Sequence, residues 1–121
     1  MIKGIKFACV PVRNQDKSLE FYTTKLGFKV ITDAPFNEKQ RWIKLGVPRA
    51  DTHLVLFTMT GQEQMIGGNM NITFMTDDVE ATANEMKAKG VEFVQEPKKA
   101  DWGTAAIFKD ADGNQFVLST P

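Results

Sequence analysis

The sequence predicts an α+β chain in which one unit, a strand, a helix and three further strands, is used twice. Three observations carry that prediction. Asn14 and Gly27 enclose one short helical pattern, and Asp77 and Gly90, each 63 positions further on, enclose a second. An apolar, strand-like run leads into each helix. Three more strand-like runs follow each one, separated by turn residues.

The first run, Ile5 to Val12, is apolar and β-branched and reads as a buried strand, with Pro11 near its end because proline cannot donate a ladder hydrogen bond. Asn14 offers an N-cap. Leu19, Tyr22 and Leu26 then recur at helical spacing, Lys25 suits the negative helix end, and Gly27 suits a left-handed terminus. Strands are expected over Phe28–Ala34, Arg41–Leu45 and His53–Thr58. Met59 to Met70, with Gly61 and the Gly67-Gly68 pair, reads as a linker. The second unit opens with a strand over Asn71–Thr76. Asp77 with Glu80 forms a capping-box pattern, and Val79, Ala83 and Met86 make the apolar stripe. Strands over Val91–Gln95, Thr104–Lys109 and Gln115–Ser119 complete the chain. The organisation is one domain over 1–121, with a first module 1–58, a linker 59–70 and a second module 71–121.

Composition bounds the function classes. A length of 121 residues, 42% hydrophobic and 25% charged, suits one soluble domain able to bury a core without disulfides. Fifteen basic residues balance fifteen acidic ones, so no net charge recruits nucleic acid or an anionic membrane. Cys9 is the single cysteine, which excludes an internal disulfide. The N-terminal run has no secretory pattern and no stretch is apolar enough to span a bilayer, so the default expectation is the cytoplasm. The loop Asp110 to Asn114 has a D-x-D-G start, but its glycine is fourth rather than sixth and a strand follows. A hairpin turn with Gly113 at positive φ fits better than a calcium loop.

Two segments resemble a known family. VPVRNQDKSLEFYTTKLGFKV resembles the opening helix unit of the vicinal oxygen chelate superfamily, which includes glyoxalase I, extradiol dioxygenases and bleomycin-resistance proteins. WGTAAIFKDADGNQFVLS resembles its closing hairpin, with Ala111 where proline is usual. The resemblance spans essentially the whole chain. It implies two βαβββ modules whose curled mixed sheets form a cup, and a homodimer. In metal-dependent members, ligands stand on the first and last strands of each module. The matching positions here are Phe7, Val55, Asn71 and Val117, none of which is an ordinary ligand for zinc, nickel or iron. The expectation is therefore no metal, no cofactor and no assigned catalytic residue.

Strand alternation predicts the side chains that share a face with those positions: Ile5, Phe7 and Cys9, then His53, Val55 and Phe57, then Asn71, Thr73 and Met75, then Gln115, Val117 and Ser119. Such a lining, mostly apolar with a few amides and hydroxyls, suits a small-molecule pocket. It equally suits a filled core. Trp42 and Trp102, each in the third-strand region of its module, either stack on a planar ligand or pin a hairpin or dimer contact. His53 is the one side chain whose ordinary titration range could support general-base work. Together the residues point to a metal-independent small-molecule-binding protein with Phe7, Trp42, His53, Val55, Phe57, Asn71, Thr73, Trp102 and Val117 as its ligand contacts. A lyase or dioxygenase with an atypical site is the alternative.

Overall fold

The computed structural model describes every residue from Met1 to Pro121. Its contacts divide the chain into two units, Met1–Ile66 and Gly67–Pro121. The first holds β1 (Phe7–Val10), α1 (Gln15–Glu20), a π-helical continuation of α1 (Phe21–Lys25), β2 (Lys29–Pro35), β3 (Arg41–Gly46) and β4 (His53–Leu56). The second holds β5 (Asn69–Met75), α2 (Val79–Ala88), β6 (Phe93–Ala100), β7 (Gly103–Lys109) and β8 (Gln115–Ser119). Each unit is a four-stranded mixed sheet, ordered β1-β4-β3-β2 in one and β5-β8-β7-β6 in the other. The pairs β1–β4 and β5–β8 are parallel and the rest antiparallel. This is the predicted α+β architecture of two βαβββ units.

Asn14 caps α1 as expected, accepting the Lys17 N–H at 3.1 Å. The helix then departs from the predicted stripe. The Thr23 and Thr24 hydroxyls donate to the carbonyls of Leu19 and Glu20 at 2.8 and 2.6 Å, and the ladder widens into a π turn. The extra residue lets the adjacent Phe21 and Tyr22 both turn inward, so Ser18, Phe21 and Tyr22 are buried while Leu19 and Leu26 are half-buried. Gly27, at φ 74°, ends the segment in the left-handed region.

The second helix is capped one residue later than predicted. Asp78, not Asp77, has the extended N-cap backbone and accepts the Ala81 N–H at 3.0 Å. Glu80 is therefore too near the cap for a capping box, although its charge still suits the first turn. The stripe Val79, Ala83 and Met86 is buried as predicted.

In the first sheet the helix-side core is Val10, Ile43, Leu45, Leu54 and Leu56; in the second it is Ala106, Phe108, Phe116 and Leu118. Phe74, Phe108 and Phe116 stack there with centroids 5.3 to 6.2 Å apart. The hairpin between β7 and β8 is held by Asp110, whose Oδ1 accepts the N–H groups of Asp112 and Asn114 at 2.9 Å each while its Oδ2 accepts Asn114 Nδ2 at 3.0 Å. Gly113 takes φ 82°, as the turn reading requires. β6 runs on to Ala100, five residues past its predicted end, because Pro97 falls on the outer strand of the sheet, where a missing N–H costs no ladder bond. β5 starts at Asn69, inside the stretch read as linker.

Candidate functional site

The face of the first sheet turned away from its helix gathers aromatic rings. Ile43 pairs with Leu56 on the helix side, so alternation sends Trp42 and Phe57 to the other side. The parallel register places Phe7 against His53 and Cys9 against Val55 on that same face. The Phe7 and Trp42 rings meet edge to face, centroids 5.4 Å apart, and Trp42 lies 5.1 Å from Phe57. Phe36, in the loop after β2, closes the group at 4.9 Å from Phe57 and 6.0 Å from Trp42. Val55 is wholly buried at the centre of this face, Phe57 is nearly so, and Phe7 and Trp42 are half-buried. Phe36 stays 60% exposed, so the cluster opens to solvent on its side.

Three of the predicted contacts, Phe7, Trp42 and Phe57, thus come together, with Val55 on the same face and His53 at its edge. Phe36 was missed. It lies one residue beyond a strand, and no periodicity marks it.

Two glutamines that the sequence reading also passed over shape this end of the sheet. The β3–β4 ladder stops at the Ile43–Leu56 pair. Beyond it, Gln15 inserts its amide between the strands: Oε1 accepts the Arg41 N–H at 2.8 Å, and Nε2 donates to the carbonyls of Arg41 at 2.7 Å and Leu56 at 2.9 Å. Gln40 does the same for Thr58, accepting its N–H at 2.8 Å and donating to its carbonyl at 2.9 Å. The strands are therefore held apart where Trp42 and Phe57 emerge. Arg41 fixes the hairpin to α1 through Asp33 and Asp16 at 2.9 and 2.7 Å, and both partners raise the guanidinium pKa. An open depression of about 390 Å³ beside the glutamines includes Arg13, Lys39 and Glu63 in its lining, but the amides and the Thr58 hydroxyl there are already spent on backbone groups.

Cys9 donates its thiol to the Phe57 carbonyl at 3.1 Å, and burial raises its pKa. Both effects favour the neutral thiol over a nucleophile.

The other predicted contacts lie in the second unit. Thr73 and Val117 pair across β5 and β8. Asn71 interrupts the expected alternation: it sits at φ 56° in a bulge, with its N–H donated to Asn69 Oδ1 at 2.9 Å. Trp102 is not on a strand. It occupies the β6–β7 turn and is 67% exposed, because β6 extends up to it and leaves only a tight turn before Gly103.

Paired βαβββ units with parallel β1–β4 and β5–β8 contacts define the vicinal oxygen chelate fold. The chain belongs to the glyoxalase/bleomycin resistance protein/dioxygenase superfamily, whose family model matches residues 4–118. It is 40% identical over 121 residues to the uncharacterized protein YetH of Bacillus subtilis, covering 98% of each. A superfamily member from Sphaerobacter thermophilus superposes with TM-score 0.89 at 29% identity, over 99% of this chain and 98% of that one. TnmS3, an antibiotic binding protein from Streptomyces sp. CB03234, superposes with TM-score 0.88 at 32% identity, over 99% and 97%.

The side chains at the four positions that the resemblance matches to metal ligands do not fit a catalytic metal. Phe7 offers a ring, Val55 and Val117 offer isopropyl groups, and Asn71 offers one neutral amide. Within neither unit do three His, Cys, Asp or Glu side chains group in a way that could hold a metal ion. No helix is long and apolar enough to cross a membrane.

Proposed function

We propose that this chain is a metal-independent small-molecule-binding protein, and that it holds a compact planar compound against the aromatic face of its first sheet. One observation carries the reading: Phe7 on β1, Trp42 on β3, Phe57 just past β4 and Phe36 just past β2 assemble one ring cluster, and the cluster reaches solvent at Phe36. Aromatic edges and faces offer apolar area with defined geometry at little conformational cost. The Trp42 indole N–H has no acceptor within the protein and is free to serve a ligand. Val55 forms the floor and His53 one rim. The likeness to an antibiotic binding protein supports the same reading. The donor chemistry at Phe7, Val55, Asn71 and Val117 gives no support to a lyase or dioxygenase route through a metal.

The test is tryptophan fluorescence during titration with 2-naphthamide, in the parent and in Trp42→Phe. Saturable quenching in the parent that disappears in the variant, where Trp102 still reports, is the expected result. Quenching that never saturates, or that persists unchanged in Trp42→Phe, sinks the proposal. A homodimer belongs to the same reading, supported by Met75 and Val94, 75% and 50% exposed on the second unit. Light scattering should give twice the 13.5 kDa chain, and a single-chain mass overturns that part.

A further inference from the structure

We propose that Lys44 makes this site selective for aromatic compounds that carry an anionic group. The inference rests on the aromatic-face reading and specifies its ligand class. Lys44 is two residues from Trp42 on β3, hence on the same face as the ring cluster. Its cross-strand neighbours are Thr32 on β2 and Val55 on β4, and its neighbours along the strand on that face are Trp42 and Gly46. None of these is an acid. The ammonium makes no ion pair or hydrogen bond, although the side chain is half-buried. The nearby Asp33 is on the opposite face and is committed to Arg41.

The ordinary explanations for a lysine in a sheet do not apply. Edge strands carry lysine to block pairing, but β3 lies between β2 and β4. A lysine that merely solvates a surface has no need of an interior position beside a fully buried valine. A half-buried cation flanked by Trp42 and by the small side chains of Thr32 and Val55 is complementary to a carboxylate or sulfonate attached to a flat apolar body. The charge would meet its partner in a partly desolvated setting, where such pairs discriminate best.

The test is calorimetric titration of the full chain with 2-naphthoate and with its neutral counterpart 2-naphthamide. The parent, Lys44→Met and Lys44→Arg are compared. The parent should bind 2-naphthoate about tenfold more tightly than 2-naphthamide, a difference that shrinks with added salt. Lys44→Met should bind the two alike, and Lys44→Arg should keep the preference. Equal binding of both probes by the parent, or a preference that survives in Lys44→Met, overturns the role of Lys44 and leaves the aromatic site standing. Binding of 2-naphthamide without 2-naphthoate likewise overturns only the role of Lys44, whereas failure of both probes to bind the parent overturns the site itself and this inference with it.

Discussion

Gln15 offers the sharpest test of how the site is built. Its amide bridges β3 and β4 through three bonds of 2.7 to 2.9 Å, all to backbone groups remote in sequence. Each such bond is worth about 0.5–1.5 kcal/mol net, and the backbone groups orphaned by its loss add to the cost. Gln15→Met keeps the length and removes all three bonds, so it should destabilise the chain by about 2–4 kcal/mol. For a domain of this size that moves a urea midpoint by about 1–2 M. Gln15→Glu keeps the acceptor for the Arg41 N–H but turns a carboxylate toward two carbonyls. It should cost at least as much at neutral pH, with part of the loss recovered in acid as the new carboxyl gains a proton to donate. Urea unfolding followed by far-UV circular dichroism and by tryptophan emission reads both effects. A loss below about 1 kcal/mol in Gln15→Met would refute the reasoning, because the amide would then be no more than a passenger between strands that close without it.

Three further outcomes follow from the geometry. Asp110→Ala removes the acceptor of three buried or part-buried donors in the β7–β8 hairpin and should cost about 2–4 kcal/mol in the same unfolding assay; a neutral effect would show that the turn stands without it. The Cys9 thiol, its pKa raised by burial, stays protonated where free cysteine is already partly thiolate. Its reaction with iodoacetamide should therefore lag behind free cysteine at pH 8 and rise only at higher pH, and a rate matching free cysteine would contradict this. Purified chain exposed to nickel, zinc, iron and manganese should retain no stoichiometric metal on elemental analysis. About one equivalent per chain would overturn the argument from donor chemistry and return the protein to the metal-dependent branch of its superfamily.

Much of the fold was legible because two periodicities write it. The stripe Val79, Ala83 and Met86 and the alternation along β8 are local signals, and the repeat at 63 positions adds to them. The capping role of Asn14 and the turn at Gly113 were legible for the same reason, since each depends on residues a few positions away. The misses are of another kind. The π turn after Glu20 follows from threonine hydroxyls competing for carbonyls, which an apolar stripe does not reveal. Gln15 and Gln40 act across 26 and 18 residues and look like ordinary polar surface in sequence. Phe36 joins the ring cluster from a loop, and β6 runs through Pro97 to Ala100. Alternation found Phe7 and Phe57, and the stacking capacity of an indole singled out Trp42; only the folded loop could add the ring that opens their cluster to solvent.

The break at Asn71 has a consequence for the behaviour of the chain at high concentration. β5 is the outermost strand of its sheet, and seven unbroken residues of strand edge would be a template for another strand. A left-handed residue in its middle, with its N–H turned back to Asn69, divides that edge into two pieces too short to nucleate a growing stack. β6, the outermost strand on the other side, is divided in the same way by Pro97 and two shifts of register. Straightening β5 with Asn71→Val would restore an uninterrupted edge, so the conformation that costs this strand its regularity also makes it a poorer template for edge-to-edge pairing.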